Sequence, residues 1–300
     1  MRRLGRKALL LLALPAALVA TGCSSDGLRL ETYNIAHLSH GSLSQVAGDI
    51  SASNADIVAI QETKQTDGQE SDPHALAHKL GWDADGKRHS WFAGWHDSNP
   101  STNWCNGTSC TEGNGIISRF PIVNYGSAPL YYETGLHRNL IWADVELAQG
   151  ADVRVYAMHL AHSTADYDIK QLNGALLYIT QNYPQNPPAV LMGDLNLPLD
   201  HHDYYDLQAF DALNSQGFRD WKVSRVLEVD PNLANVCHDT NANGSIAPCT
   251  YPNPTPSDKR DYVWVKGLSL NAGLVRNNCP NGNCVSDHRP YWTDVGPPGG

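Results

Sequence analysis

The stretch "AVLMGDLN", residues 189–196, carries an apolar run straight into Gly193-Asp194 and then, past Leu195, to an amide at Asn196. An ionised carboxylate at the end of a buried strand is costly unless a partner compensates it. The same grammar recurs along the chain. "LRLETYN" runs into Asn34, "DIVAIQE" into Glu62 and "VRVYAMH" into His159. "KRDYVWV" begins a strand at Asp261, and "SDH" places Asp287 and His288 just ahead of "RPYWTDV". One polar strand end means little. Six such segments in one chain demand a fold that gathers strand ends at one place, as open sheets do. Carboxylates brought together repel unless a cation sits among them. The oxygen-rich set Asn34, Glu62, Asp194, Asn196 and Asp287 suits a hard ion such as Mg²⁺, Mn²⁺ or Ca²⁺.

Apolar patterning and turn residues predict strands over 28–33, 57–61, 90–93, 115–119, 122–129, 139–147, 152–160, 189–193, 260–265, 268–274 and 289–295. Helices are predicted over 42–53, 73–80, 164–182 and 204–216. In the third, Ile169, Leu172, Leu176 and Ile179 recur at helical spacing, and Pro184 follows the end. Many strands with few helices imply two packed sheets with helices outside. No internal repeat and no splitting linker is visible, so residues 28–296 read as one α/β domain with 297–300 as a tail. Residues 235–256, rich in Asn, Pro and Thr, read as a long loop tied by one bridge.

Residues 1–22 form a different unit. Arg2, Arg3, Arg6 and Lys7 precede an apolar stretch over 8–20, and small residues lead to Cys23. That is a secretory signal, too short and wrongly flanked for a membrane span. "LVATGC" resembles the lipobox of bacterial lipoproteins, which implies lipidation of Cys23 as the mature N-terminus, with 23–27 as a linker. Arg2-Arg3 leaves a twin-arginine export route open. The expected location is extracellular, anchored to the outer face of the cell membrane. Setting Cys23 aside leaves six of seven cysteines, in the local pairs Cys105/Cys110, Cys237/Cys249 and Cys279/Cys284. Short-range closure is the simplest pairing in an oxidising compartment, at about 2–3 kcal/mol per bridge. With four of 21 basic residues in the signal, 17 face 31 acidic residues, a net charge of −14. That excludes a passive high-affinity nucleic-acid binder, which needs a basic footprint. An enzyme that holds phosphate through a metal ion is not excluded.

The ordered set "TYN", "QET", "MHL", "GDLN", "RDYVWV" and "SDHRP" closely resembles the endonuclease/exonuclease/phosphatase superfamily, and "GNGIISRFPI" resembles its middle strand segment. The resemblance implies a four-layer α/β sandwich with two central, mostly antiparallel or mixed sheets flanked by helices. It implies a metal-dependent phosphoric ester hydrolase, with Mg²⁺ or Mn²⁺ as cofactor and a separate structural Ca²⁺ left open. Carried over by position, Glu62 is the chief metal ligand, with Asn34 beside it and Asp287 completing or neighbouring the site. Asp194 orients or deprotonates the attacking water, and Asn196 holds the phosphate. His288, paired with Asp261, contacts the scissile phosphate and assists proton transfer. His159 lies near the phosphate or the leaving group. Arg119 and Arg138 are candidate phosphate contacts.

The substrate is read by loops, which family motifs do not specify. A secreted, deoxyribonuclease-like endonuclease leads, because "CNGTSCTEGNGIISRFP" resembles the small cysteine loop of pancreatic-type enzymes. A sphingomyelinase-type phospholipid phosphodiesterase is the alternative. An inositol phosphate phosphatase ranks lower for lack of a Lys/Arg cluster. A monomer is the default. His37, His40, His74, His78, His201 and His202 read as surface histidines, and Trp82, Trp91, Trp95 and Trp104 as packing residues rather than a substrate platform.

Overall fold

The computed structural model describes residues 27–97, 108–130, 137–147, 152–162, 165–183, 188–198, 204–220, 223, 250–251, 259–276, 278–279 and 283–296. The expectations at Cys23, Cys105, Cys237, Cys249, His201, His202 and Trp104 lie outside the described residues. The strands are β1 Leu28–Asn34, β2 Ile57–Thr66, β3 Ser90–Asp97, β4 Cys110–Ser118, β5 Ile122–Pro129 and β6 Asn139–Glu146. They continue as β7 Asp152–His159, β8 Ala189–Asp194, β9 Arg219–Asp220, β10 Asp261–Lys266, β11 Ser269–Val275 and β12 Tyr291–Gly296. The helices are α1 Leu43–Ser53, α2 Asp72–Lys79, α3 Ala165–Asn182 and α4 Tyr204–Ser215.

Two six-stranded sheets result, ordered β11-β12-β1-β2-β4-β3 and β5-β6-β7-β8-β10-β9. Pairing is antiparallel except for β1 with β2 and β7 with β8. Those two parallel pairs need crossovers, and α1 and α3 supply them. Period-two alternation separates three apolar layers. Ile57 and Ala59 face the inter-sheet core with Val155, Val190, Met192 and Val263. Val58 and Ile60 turn the other way, onto Val46 and Ile50 of α1 and Leu76 of α2. Tyr156, Met158 and Leu191 pack outward on Leu172 and Leu176 of α3 and Phe210 of α4. The layers are therefore helix, sheet, sheet, helix, the sandwich that the sequence implies.

Local chemistry explains the element ends. Ser42 caps α1 in a reciprocal box with Gln45. Asn54 closes the same helix in the left-handed conformation. Three strands run past their predicted limits, β2 to Thr66, β3 to Asp97 and β4 back to Cys110. Their polar extensions pair with one another in register, Thr66 with Cys110 and Cys110 with Asp97, so backbone bonding extends what side-chain hydropathy ends. The two-residue strand β9 was not predicted; it is held by its pairing to Trp264 and Val265. Cys279 and Cys284 form the expected bridge. Cys110 is buried and disulfide-bonded.

Candidate active site

Register alone aligns half of the site. His159 ends β7, Asp194 ends β8 and Asp261 opens β10, and these three residues are direct cross-strand partners on one rung. On the facing sheet, Asn34 ends β1 opposite Gln61, one residue before Glu62. Asn34 joins the two sheets. Its amide nitrogen lies 2.9 Å from Glu62 Oε1 and 3.1 Å from Asp194 Oδ2, so one NH₂ group bridges two carboxylates.

Asp194 lies between two imidazoles, its Oδ2 3.6 Å from His159 Nε2 and 3.5 Å from His288 Nε2. Its Oδ1 accepts the backbone N–H of Asn196 at 3.0 Å. Gly193 is obligatory at this point, since a Cβ there would stand 1.8 Å from the Met158 carbonyl oxygen. Asn196 adopts a left-handed φ of 50° that turns its side chain back, giving hydrogen bonds to the Leu160 carbonyl at 3.0 Å and to His159 Nε2 at 3.2 Å. On the other side His288 Nδ1 donates to Asp261 Oδ2 at 2.8 Å. Ser286 fixes the "SDH" turn. Its hydroxyl donates to the Asn34 carbonyl at 2.7 Å, and it accepts the His288 N–H at 3.1 Å. Asp287 is half-buried beside it, Oδ1 3.4 Å from Ser286 Oγ.

Burial and charge set the protonation pattern. Burial raises the Asp194 carboxyl to about 7, against the opposing pull of the His288 charge. Burial would lower His288, but the Asp261 and Asp194 carboxylates outweigh it and raise the imidazole to about 10. Burial, assisted by the Arg138 charge, pushes His159 well below its ordinary value and keeps it neutral. Burial opposes ionisation of Glu62, yet the His37 hydrogen bond and the Asn34 amide hold its carboxyl well below the usual range.

Glu62 and His37 carry backbone strain as well. Glu62 has φ 51°, and Ala36, His37 and Leu38 form a run at φ 47°, 51° and 61°. Consecutive left-handed non-glycine residues are unfavourable and persist where the surroundings over-determine them. The result is that His37, read from sequence as a surface residue, is buried with Nε2 3.1 Å from Glu62 Oε2 and 3.8 Å from Glu112 Oε1. Its signal was its place three residues past Asn34. His40, His74 and His78 are exposed as expected.

Two further basic residues join the site without having been singled out. Arg260 lies over the Tyr251 ring at 4.3 Å and donates to Asn196 Oδ1 at 3.3 Å, while Tyr251 lies 4.8 Å from the His288 ring. Lys259 is fully buried, donates to the Asp261 carbonyl and lies over the rings of Tyr262 and Tyr291. Arg138 does reach this region, 3.5 Å from Glu112 and acting on His159. Arg119 does not. It sits past the far end of β4, bonded to Asp56, Asn54 and the Ala55 carbonyl, where it braces the end of α1. Trp95 also departs from its packing assignment, with 53% of its surface exposed on edge strand β3.

The donor set fits a hard divalent cation, and the position is decided by protonation. Asp194, Asp261 and His288 bring ligand atoms within 4.8 Å of one another. His288, however, is held charged and spends Nδ1–H on Asp261, so it has no lone pair to offer. Glu62 is held ionised beside Asn34, which makes that side the better cation site.

A carboxylate between two imidazoles, beside the Glu62–Asn34 pair at the ends of interior strands of both sheets, suits phosphoester hydrolysis. Residues 32–288 match the endonuclease/exonuclease/phosphatase family, and the chain belongs to it. Members of that family are hydrolases acting on phosphoester bonds and are generally divalent-metal dependent. No curated protein matches the sequence. Solved structures show the same fold. A family member from Beutenbergia cavernae DSM 12333 is 24% identical, with a TM-score of 0.67 over 91% of this chain and 72% of that one. The mannosyl-6-phosphatase of Bacteroides thetaiotaomicron VPI-5482 is 17% identical, with a TM-score of 0.62 over 89% and 99%. The human Nocturnin catalytic domain, with bound sulfate, is 17% identical, with a TM-score of 0.61 over 90% and 93%.

Proposed function

We propose that this chain is an exported, metal-dependent endonuclease of the deoxyribonuclease type, tethered to the outer face of the cell membrane through Cys23. The observation that carries the chemistry is Asp194, on one rung with His159 and Asp261, lying between the His159 and His288 rings. A carboxyl near 7 is matched to general-base work at neutral pH. Mg²⁺ or Mn²⁺, held by Glu62 and Asn34 with Asp287 alongside, would supply Lewis-acid polarisation of a phosphoryl oxygen. Asp194 orients a water and takes its proton as the new P–O bond forms. Charged His288, held by Asp261, faces the charge that builds on the phosphoryl oxygens and hands a proton to the departing oxygen as its P–O bond breaks. Neutral His159 and the Asn196 amide, with Arg260 behind it, hold the phosphate in place.

Nucleic acid is favoured as substrate because Cys110 is disulfide-bonded just before the "GNGIISRFP" run, the arrangement that resembles pancreatic-type enzymes. Full-length protein made in an oxidising host, assayed beside an Asp194→Ala, His288→Ala variant, tests the reading. The substrates are plasmid DNA, RNA and sphingomyelin, each with Mg²⁺, Mn²⁺, Ca²⁺ or EDTA. Metal-dependent nicking of plasmid that the variant lacks is the expected result. Sphingomyelin turnover with plasmid intact would replace the nuclease by a phospholipid phosphodiesterase.

A further inference from the structure

A groove beside the catalytic cluster has a lining that the hydrolytic chemistry does not use. It has a volume of about 220 Å³ and is lined by Gly94 and Trp95 of β3, Ser127 to Pro129 of β5, and His137, Arg138 and Asn139. Trp95 and His137 stack almost parallel, with ring centroids 3.5 Å apart and planes 9° from coplanar. The walls are rigid. Asn114 donates to the Asn139 carbonyl and side-chain oxygen, both at 3.0 Å, and Asn139 donates to the Ala93 carbonyl at 2.9 Å, tying the two sheets together. Gly94 faces Gly113 across the ladder, where a Cβ on Gly94 would stand 1.8 Å from the Glu112 carbonyl oxygen.

A run of contacts links the groove to Glu62. Trp95 pairs with Glu112 in the ladder; Glu112 meets Arg138 at 3.5 Å and His37 at 3.8 Å, and His37 meets Glu62 at 3.1 Å. Across β4, Lys64 of β2 pairs with the same Glu112, so Trp95 stands two strand spacings, about 10 Å, from the strand that carries Glu62. That is the reach of one nucleotide from its phosphate to its base. Arg138 spans the gap, and its buried Nε makes no hydrogen bond among the described residues.

We infer that this groove is a nucleobase subsite. One base of the substrate stacks on the exposed Trp95–His137 platform while Arg138 meets its polar edge. A flat, half-exposed indole beside a guanidinium donor suits a planar heteroaromatic ring, which every base presents. The inference rests on the nuclease reading and gives it a means of holding the strand in a protein with net charge −10.

The test measures binding of a thymidine dinucleotide and of its abasic analogue, which has the same backbone without bases, by calorimetry at a fixed metal concentration. The full chain is compared with Trp95→Ala and Trp95→Phe. The wild type should prefer the dinucleotide by about 5- to 100-fold, the size of one base stack. Trp95→Ala should abolish that preference and Trp95→Phe should retain most of it, with unchanged melting temperature because the indole is exposed on an edge strand. An intact preference in Trp95→Ala, in a protein that still nicks plasmid, overturns the subsite and leaves the nuclease reading standing. Trp95-dependent binding of adenosine monophosphate by a protein that fails on all nucleic acids supports the subsite and overturns the nuclease. Trp95-dependent preference for mannose 6-phosphate over adenosine monophosphate overturns the base assignment in favour of a sugar.

Discussion

Asp261→Asn isolates the charge that holds His288. The substitution keeps the volume and leaves an amide oxygen to accept the imidazole N–H now given to Asp261 Oδ2 at 2.8 Å. What disappears is one negative charge at a fully buried position. A hydrogen bond to a charged group contributes about 1.5–3 kcal/mol, and one pKa unit corresponds to about 1.4 kcal/mol. The His288 pKa should therefore fall by about 1–2 units from its value of about 10. The ring stays protonated at pH 7 because Asp194 remains 3.5 Å away. Lost orientation, rather than lost charge, should then cost about 10²-fold in the hydrolytic rate. The linkage has a definite sign. His288 has a folded pKa raised above its ordinary 6.5, so the pair's stabilisation is complete below about 6.5 and is lost as pH rises through about 10. The melting deficit of Asp261→Asn should be largest near pH 6 and shrink toward pH 10. Imidazole NMR titration, melting curves across that window and single-turnover rates measure all three. An unmoved His288 pKa, or a deficit that grows with pH, would refute the reasoning.

His37→Ala removes the hydrogen bond that most depresses Glu62, whose stabilisation is present above its ordinary pKa of 4.5 and lost as pH falls. Its melting deficit should thus be full above pH 5 and narrow in more acid buffer. Paired Cys279→Ser and Cys284→Ser open a loop of sequence separation 5, a loss of about 2 kcal/mol or some 3–4 °C in Tm. Activity should drop too, since neighbouring Asn278 holds the His288 carbonyl at 2.9 Å and the Tyr33 hydroxyl at 2.8 Å. EDTA should abolish turnover, with Mg²⁺ or Mn²⁺ restoring it; turnover that survives chelation would remove the metal from the mechanism.

Residues at the ends of apolar strands were legible from sequence because hydropathy announces both the strand and its stop. Asn34, Glu62, His159 and Asp194 were found this way, and the structure brings them together with Asp261 and His288. His37 was read as a surface residue because it lies in the polar turn after β1, where hydropathy gives no sign of the left-handed run over 36–38 that accompanies its burial. Trp95 was misread for a related reason. The polar end of β3 is held by backbone pairing to β4, so its tryptophan reaches solvent instead of the core. Arg119 follows a strand that points away from the site, and direction along a ladder is invisible until the partner strand is known. Lys259 and Arg260 were passed over because a basic pair beside an aspartate reads as solvated charge. Here Lys259 is buried among tyrosine rings and Arg260 leans on Asn196.

The central claim is that Asp194 activates water for attack on a phosphodiester beside a bound cation. The most direct measurement is the initial rate of plasmid nicking with Mn²⁺ for wild type and Asp194→Asn, both confirmed folded by their melting curves. The account predicts loss of about 10²-fold or more, with binding of the uncleaved plasmid changed little. An Asp194→Asn enzyme that cuts within a few-fold of wild type would contradict it.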